Sequence, residues 1–243
     1  MLHVMILSFL AGFATLLGGI AVLVFGRPTE KSLAIFLGLA VGIMLGVIAL
    51  DLLPSAYAYG TIFTVFCGFI FGKIFLFLAS QILELFSSPT SGQRDMKYLL
   101  NMGYLIAIGI ALHDLPEGIA IAVGYAAHEQ LGWLIAFAIA LHNIPEGMAA
   151  AAPLRMGGMR PFVIVIVIAL VSLFTPLGTI IGFYIVNISY ENISFLLALA
   201  GGAMSYIVLF KLIPEARRRH PNYAKLGASI GFIIIATLSI FHG

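Results

Sequence analysis

Four side chains in this chain could ligate a metal or move a proton from within apolar surroundings: His113, Glu117, His142 and Glu146. They fall in two near-copies, HDLPEGIAIA from His113 and HNIPEGMAAA from His142. In each copy histidine and glutamate stand at i and i+4, on one helical face, so each pair can converge on one point. Pro116 and Pro145 each remove a helical hydrogen bond, freeing the carbonyls of Leu112 and Leu141, and should kink the chain there. Gly118 and Gly147 leave space for a close neighbour. Two imidazoles with two carboxylates suit a divalent transition metal. A proton relay would use the same carboxylates without the metal. One buried histidine is ordinary hydrogen-bonded packing; two copies with one spacing point to a polar functional site.

The elements that hold these residues follow from composition. The 243 residues are 62% hydrophobic and 9% charged, with a mean hydropathy of +1.13. Crossing ~30 Å of hydrocarbon as a helix takes about 20 apolar residues. Eight such runs occur, at 2–25, 33–54, 61–84, 98–127, 131–154, 161–187, 193–214 and 223–241. The expected fold is an all-α membrane protein of eight transmembrane helices, with residues 1–243 as one polytopic domain in the cell membrane. Little chain is left for a soluble domain or for a nucleic-acid surface. The first run is not read as a signal peptide, because no Lys or Arg precedes it and no small-residue cleavage site follows before Arg27. Cys67 is the lone cysteine and excludes an internal disulfide. The fourth run is centred at Leu112 and His113 and the fifth at His142 and Asn143, so both motifs fall at the bilayer centre. A charged carboxylate there costs at least a few kcal/mol, and such groups normally face a bundle interior in a functional role.

Charge and repetition give the layout. With eight spans both termini lie on one side. Arg27, Lys31, Arg94, Lys97, Arg155, Arg160, Arg217, Arg218, Arg219 and Lys225 then fall in the opposite-side loops. The remaining loops carry only Glu129 and Glu191, with Asp51 just before one of them. The positive-inside rule places both termini outside, in the extracellular or periplasmic space. SSPTSGQRD, residues 87–95, has loop composition. The chain also resembles itself at an offset of 160 residues: TLLGGI from Thr15 with TPLGTI from Thr175, and GIMLGVIALDLLPSA from Gly42 with GAMSYIVLFKLIPEA from Gly202. Met44 thereby pairs with Met204, and Pro54 with Pro214. The paired spans start on opposite sides, so helices 1–3 and 6–8 read as inverted repeats around central helices 4 and 5. Such repeats mark transporters, with sites near mid-membrane. Gly38, Gly42, Gly46, Gly68 and Gly72 suit close helix packing.

The paired HDLPEG and HNIPEG resemble the fourth- and fifth-helix signatures of the ZIP (Zrt/Irt-like protein) metal transporters, especially the short bacterial members. The resemblance extends over essentially the whole chain. It implies a transporter rather than an enzyme, importing divalent metal into the cytoplasm, most often zinc, with iron, manganese or cadmium in various members. It implies a principal site of His113, Glu117, His142 and Glu146, with Met44 as a thioether ligand. In members with two metals, the residues matching Asp114 and Asn143 hold a second ion with a sixth-helix carboxylate. That last position is Thr175 here, which puts a full second site in doubt. ELIPEA of the family is KLIPEA, with Lys211 expected to snorkel to the surface. Glu215 is either a group that passes metal onward or a helix-end carboxylate, and Asp51 an entrance ligand or a plain surface acid. Lys73 sits mid-span and should have a carboxylate or carbonyl partner. Two other classes stay open. An intramembrane metalloprotease would require a string such as H-E-x-x-H, which is absent. A proton-coupled carrier of small solutes would keep the carboxylates. The lipid bilayer and the metal are the expected partners, and a homodimer is left open.

Overall fold

The computed structural model describes residues 2–24, 26, 29–85, 94–127, 129–185 and 190–242, all helical or in short connections. The helices are α1 Leu2–Val24, α2 Glu30–Val47, α3 Leu53–Tyr59, α4 Ile62–Leu85, α5 Arg94–Ala127 and α6 Glu129–Met156. They continue with α7 Pro161–Ser172, α8 Phe174–Ile185, α9 Tyr190–Ile207, α10 Ile213–Arg219 and α11 Pro221–His242. Among the described residues seven helical stretches are long and apolar enough to cross a membrane, and α11 adds a further helix of 22 residues. Arg27 and residues 87–93 of the expected loop lie outside the described residues, while Arg94 and Asp95 open α5 rather than closing a loop.

Three prolines shape the spans. A proline cannot donate to the carbonyl four residues back, and its ring crowds that carbonyl. Ahead of Pro54 the helix widens into a π turn, Ile48–Leu52, where the Leu53 N–H reaches the Ile48 carbonyl. Ahead of Pro214 the same happens at Val208–Leu212, with the Ile213 N–H on Val208. The two π turns start 160 residues apart, at Ile48 and Val208. One continuous span therefore runs from α2 through its π turn into α3, and another from α9 into α10. Pro176 acts differently. The span 161–187 is interrupted at Leu173, between α7 and α8, and the Ser172 carbonyl that Pro176 cannot use faces Gly12 of α1. By contrast, α5 runs unbroken through Pro116 and α6 through Pro145 and Pro153.

Glycines set the helix pairs. A Cβ at Gly18 or Gly147 would overlap a backbone carbonyl across the α1–α6 contact, that of Ile144 or Thr15 respectively. Gly118 and Gly178 stand likewise against the Thr175 and Leu115 carbonyls where α5 meets α8. Gly38 and Gly42 face the Ala224 and Ala228 carbonyls of α11, and Gly72 and Gly202 let α4 and α9 touch backbone to backbone. Without hydrophobic drive between helices in lipid, such close approach is what packing gains from. The core is a layer of Leu, Ile, Met and Ala at the centre, including Met44, Met102, Ile106, Ala150 and Met204. Outward, α4 exposes Phe63, Phe66, Phe71 and Phe75, an apolar face of the kind lipid covers.

Candidate metal centre

α5 and α6 lie side by side and bring the two motifs together. His113, Asp114, Asn143 and Glu146 have no exposed surface, and Glu117 and His142 are 5% exposed. The closest contacts cross between the helices rather than running within each motif. His113 Nε2 is 2.7 Å from Glu146 Oε2, and His142 Nε2 is 3.0 Å from Glu117 Oε1. His113 Nε2 also lies 3.4 Å from Asp114 Oδ1. The other ring nitrogen of His113 is 2.9 Å from the Gly109 carbonyl. That carbonyl can only accept, so Nδ1 carries a proton and donates it, which leaves Nε2 as the atom directed at the carboxylates. A histidine ligand held by a backbone carbonyl at its second nitrogen is a common arrangement in metal sites.

The centre has an excess of acceptors. Both oxygens of Asp114, Glu117 Oε2, Glu146 Oε1 and Asn143 Oδ1 are buried without a hydrogen-bond partner among the described residues. Buried polar groups are normally partnered, and a cluster of orphaned oxygens calls for a cation or protons among them. One donor atom each from His113, Asp114 and Glu146 lie within 4.8 Å of one another, a spacing that an ion between them would close up. Asn143 is oriented by donating from Nδ2 to the Ala11 carbonyl, 3.0 Å away. Met44 is buried on α2, which packs on α6, but takes no part in these polar contacts. Thr175 is fully buried on α8 with a hydroxyl that has no partner among the described residues, as is Thr15 on α1. Nearby, Thr179 Oγ1 lies 2.6 Å from Ser8 Oγ and 2.9 Å from the Gly118 carbonyl, continuing a polar seam between α1, α8 and α5.

A cavity of about 220 Å³ reaches the centre from one end. It is lined by Asp51, Ser55 and Tyr59 of the first π turn and α3, and it touches Glu117 and His142. At the other end ion pairs dominate. Glu215, 1% exposed, receives Arg218 and Arg219 on its two oxygens at 2.6–3.0 Å. Arg219 also holds both oxygens of Glu30 at 2.9 Å, and Arg218 stands 3.6 Å from Asp95, so α10 is tied to α2 and α5. Among the described residues Lys73 does not find the expected carboxylate or carbonyl: its ammonium sits 5.6 Å from the centre of the Phe210 ring. An aromatic face attracts a cation, most strongly where water is excluded.

Comparison with known proteins decides the family. The profile of the ZIP zinc transporters matches residues 87–239, a stretch that contains both motifs. The chain belongs to the ZIP zinc transporter family. It is 30% identical to the zinc transporter ZupT of Chlorobaculum parvum, over 96% of this chain and 95% of that protein. It is 34% identical to the zinc transporter ZTP29 of Arabidopsis thaliana, over 86% and 83% of the two chains. It is 32% identical to ZupT of Escherichia coli O7:K1, over 90% and 88%. These ZIP relatives are transporters, so the protein is a multi-pass membrane transporter and not an enzyme, which sets the protease alternative aside.

Proposed function

We propose that this ZIP protein imports a divalent transition metal, zinc before cadmium, iron or manganese, through a mid-membrane site of His113, Glu117, His142, Glu146 and Met44. The observation that carries the reading is the crossed pair of histidine–glutamate contacts between α5 and α6, surrounded by orphaned carboxylate oxygens. Relatives named as zinc transporters support zinc as the cargo. So does the donor set, imidazole and carboxylate with one thioether, although copper would bind such groups more tightly and selectivity needs more than affinity.

The 2.7 Å contact between His113 Nε2 and Glu146 Oε2 requires a proton on one of the two atoms, since two lone pairs at that distance repel. An ion taking that place displaces the proton, so metal and proton compete for the same atoms. The hydrated ion reaches Glu117 and His142 through the Asp51 cavity and exchanges most of its water for these ligands. Both termini and that cavity face outside in this reading, and the Glu215–Arg219–Glu30 cluster closes the cytoplasmic end. The matching π turns at Ile48 and Val208 support an inverted repeat, α1–α4 against α7–α11, with α5 and α6 between. The glycine contacts of α1 with α6 and of α8 with α5 support it as well. Alternating access then requires the cytoplasmic ion pairs to part while the outer cavity closes.

The test is radiometal uptake into proteoliposomes, with chelator and proton-gradient controls. Zinc accumulation that a chelator abolishes is the expected result. Uptake of small solutes indifferent to chelators would replace this reading with the proton-coupled carrier.

A further inference from the structure

The outer side of α4 holds a cation that the metal centre does not use. Lys73 stands halfway along this 24-residue helix, about 18 Å from either end. Charged side chains at such depth are costly and normally face a bundle interior. Lys73 instead lines a cavity of about 380 Å³ with Ile70, Ile74 and Phe77 of α4 and with Tyr206 and Phe210 from across the α4–α9 contact. Ile74, Phe77 and Phe210 are about half exposed, so the cavity opens outward, on the face that lipid covers. The side chain also leans. Gly72 abuts the backbone of Leu199 and Ala203, which sets the level of Lys73 on the neighbouring span. The ammonium nevertheless sits 5.6 Å from the centre of the Phe210 ring, and Phe210 lies about 10 Å further along that span than Ala203. Lys73 therefore reaches toward the end that carries Arg217, Arg218 and Arg219, as a snorkelling lysine does. Tyr206 packs at 5.2 Å on Phe210 and at 6.4 Å on Phe77, between ring centres, which builds an aromatic wall. Among the described lining residues the polar groups are the Lys73 ammonium, an obligate donor, and the Tyr206 phenol, which can donate. None of them is an acid, and an aromatic face is a weak substitute for one.

We propose that this groove binds one anionic phospholipid, with its phosphate on Lys73 and Tyr206 and an acyl chain along Ile70, Ile74 and Phe77. Charge complementarity selects that occupant. A small soluble anion gains nothing from the apolar walls, and a neutral lipid gains nothing from the ammonium. A zwitterionic headgroup brings its own cation, which competes with Lys73 for the phosphate. Basic pockets between spans are a known way of holding acidic headgroups. The lipid touches both α4 and the π turn Val208–Leu212 that carries Phe210, so it ties the two together. The site does not depend on which ion the protein carries.

The experiment is native mass spectrometry of the purified full chain in detergent, with dioleoyl phosphatidylglycerol or dioleoyl phosphatidylcholine added, for the parent, Lys73→Met, Lys73→Arg and Tyr206→Phe. The parent should hold phosphatidylglycerol more tightly than phosphatidylcholine. Lys73→Met should lose that preference, its affinity for phosphatidylglycerol falling by about tenfold or more, the scale of one hydrogen bond to a charged group. Lys73→Arg should keep the preference, and Tyr206→Phe should weaken it by a smaller factor. Thermal unfolding without added lipid controls for folding: Lys73→Met should melt no lower than the parent, since an apolar side chain replaces a charge in hydrocarbon. A lower midpoint would overturn the site, because Lys73 would then be held by groups of the chain itself. Parent-like binding of phosphatidylglycerol by Lys73→Met would overturn it too, by assigning the lipid to the surface arginines. Equal binding of the two lipids by the parent would do the same, as would a parent dimer that Lys73→Met dissolves with no lipid preference, which would give the groove to a second copy of the chain. The readout is lipid binding, so the result stands apart from the transport reading.

Discussion

At the residue scale, each imidazole of the centre faces a carboxylate on the other helix, and in the proposed reading the two motifs act as one unit at which metal competes with protons for shared atoms. Uptake should fall as the pH drops through the range where an imidazole protonates, ~6.5 when unperturbed. Bound metal should move that midpoint lower, because ligation requires the deprotonated ring. Zinc binding measured between neutral and clearly acidic pH checks this, and unchanged affinity would remove the histidines from the ligand set. The motif residues were readable because two copies of one spacing, at one depth in apolar spans, converge on a single polar site. Their crossed pairing was not readable. Spacing within a helix says which groups share a face, whereas partner choice depends on how α5 and α6 rotate against each other. Lys73 shows the same limit: its depth was plain, but its partner, Phe210, lies on another helix.

At the scale of elements, glycine contacts decide how near the helices come. Gly147 stands against the Thr15 carbonyl, and an added methyl there has no flexible neighbour to displace. Gly147→Ala should destabilise the fold by about 1–3 kcal/mol, the usual range for overpacking. Gly201→Ala is the contrast, since its nearest neighbours would stand 3.9 Å from the new carbon; it should be neutral or slightly stabilising, helix interiors favouring Ala over Gly. Thermal unfolding in detergent compares the two, and equal midpoints would contradict the packing account. Span positions were legible because hydropathy over about 20 residues is a strong signal. The break at Leu173 and the π turns were not, although Pro54, Pro176 and Pro214 marked places where they could occur. A proline tells where a hydrogen bond is missing, and the surrounding packing decides whether the helix widens, breaks or runs on, as it does at Pro116.

At the scale of the whole molecule, a largely apolar cavity that holds Asp51 and Glu117 at one end and arginine–glutamate pairs at the other make the two sides of the centre unlike. The enclosure of Glu215 by Arg218 and Arg219 was not legible in the sequence, because neighbours along a sequence do not reveal which side chains fold back on each other. The number of ions also belongs to this scale. Asp114, Glu117 and Glu146 bring three carboxylates, so charge alone permits one divalent ion or two. Thr175 offers a second ion only a neutral hydroxyl, a poorer ligand for such a cation. Titration of the purified protein with zinc or cadmium should therefore find one tight ion, and Thr175→Glu should strengthen a second; two equally tight ions in the parent would contradict this. The central claim is that His113, Glu117, His142 and Glu146 together hold the transported ion. Zinc uptake by proteoliposomes bearing each single alanine variant, matched for the amount of protein in the membrane, tests it most directly. All four variants should lose chelator-sensitive uptake, and Glu146→Ala transporting at the parent rate would contradict the account.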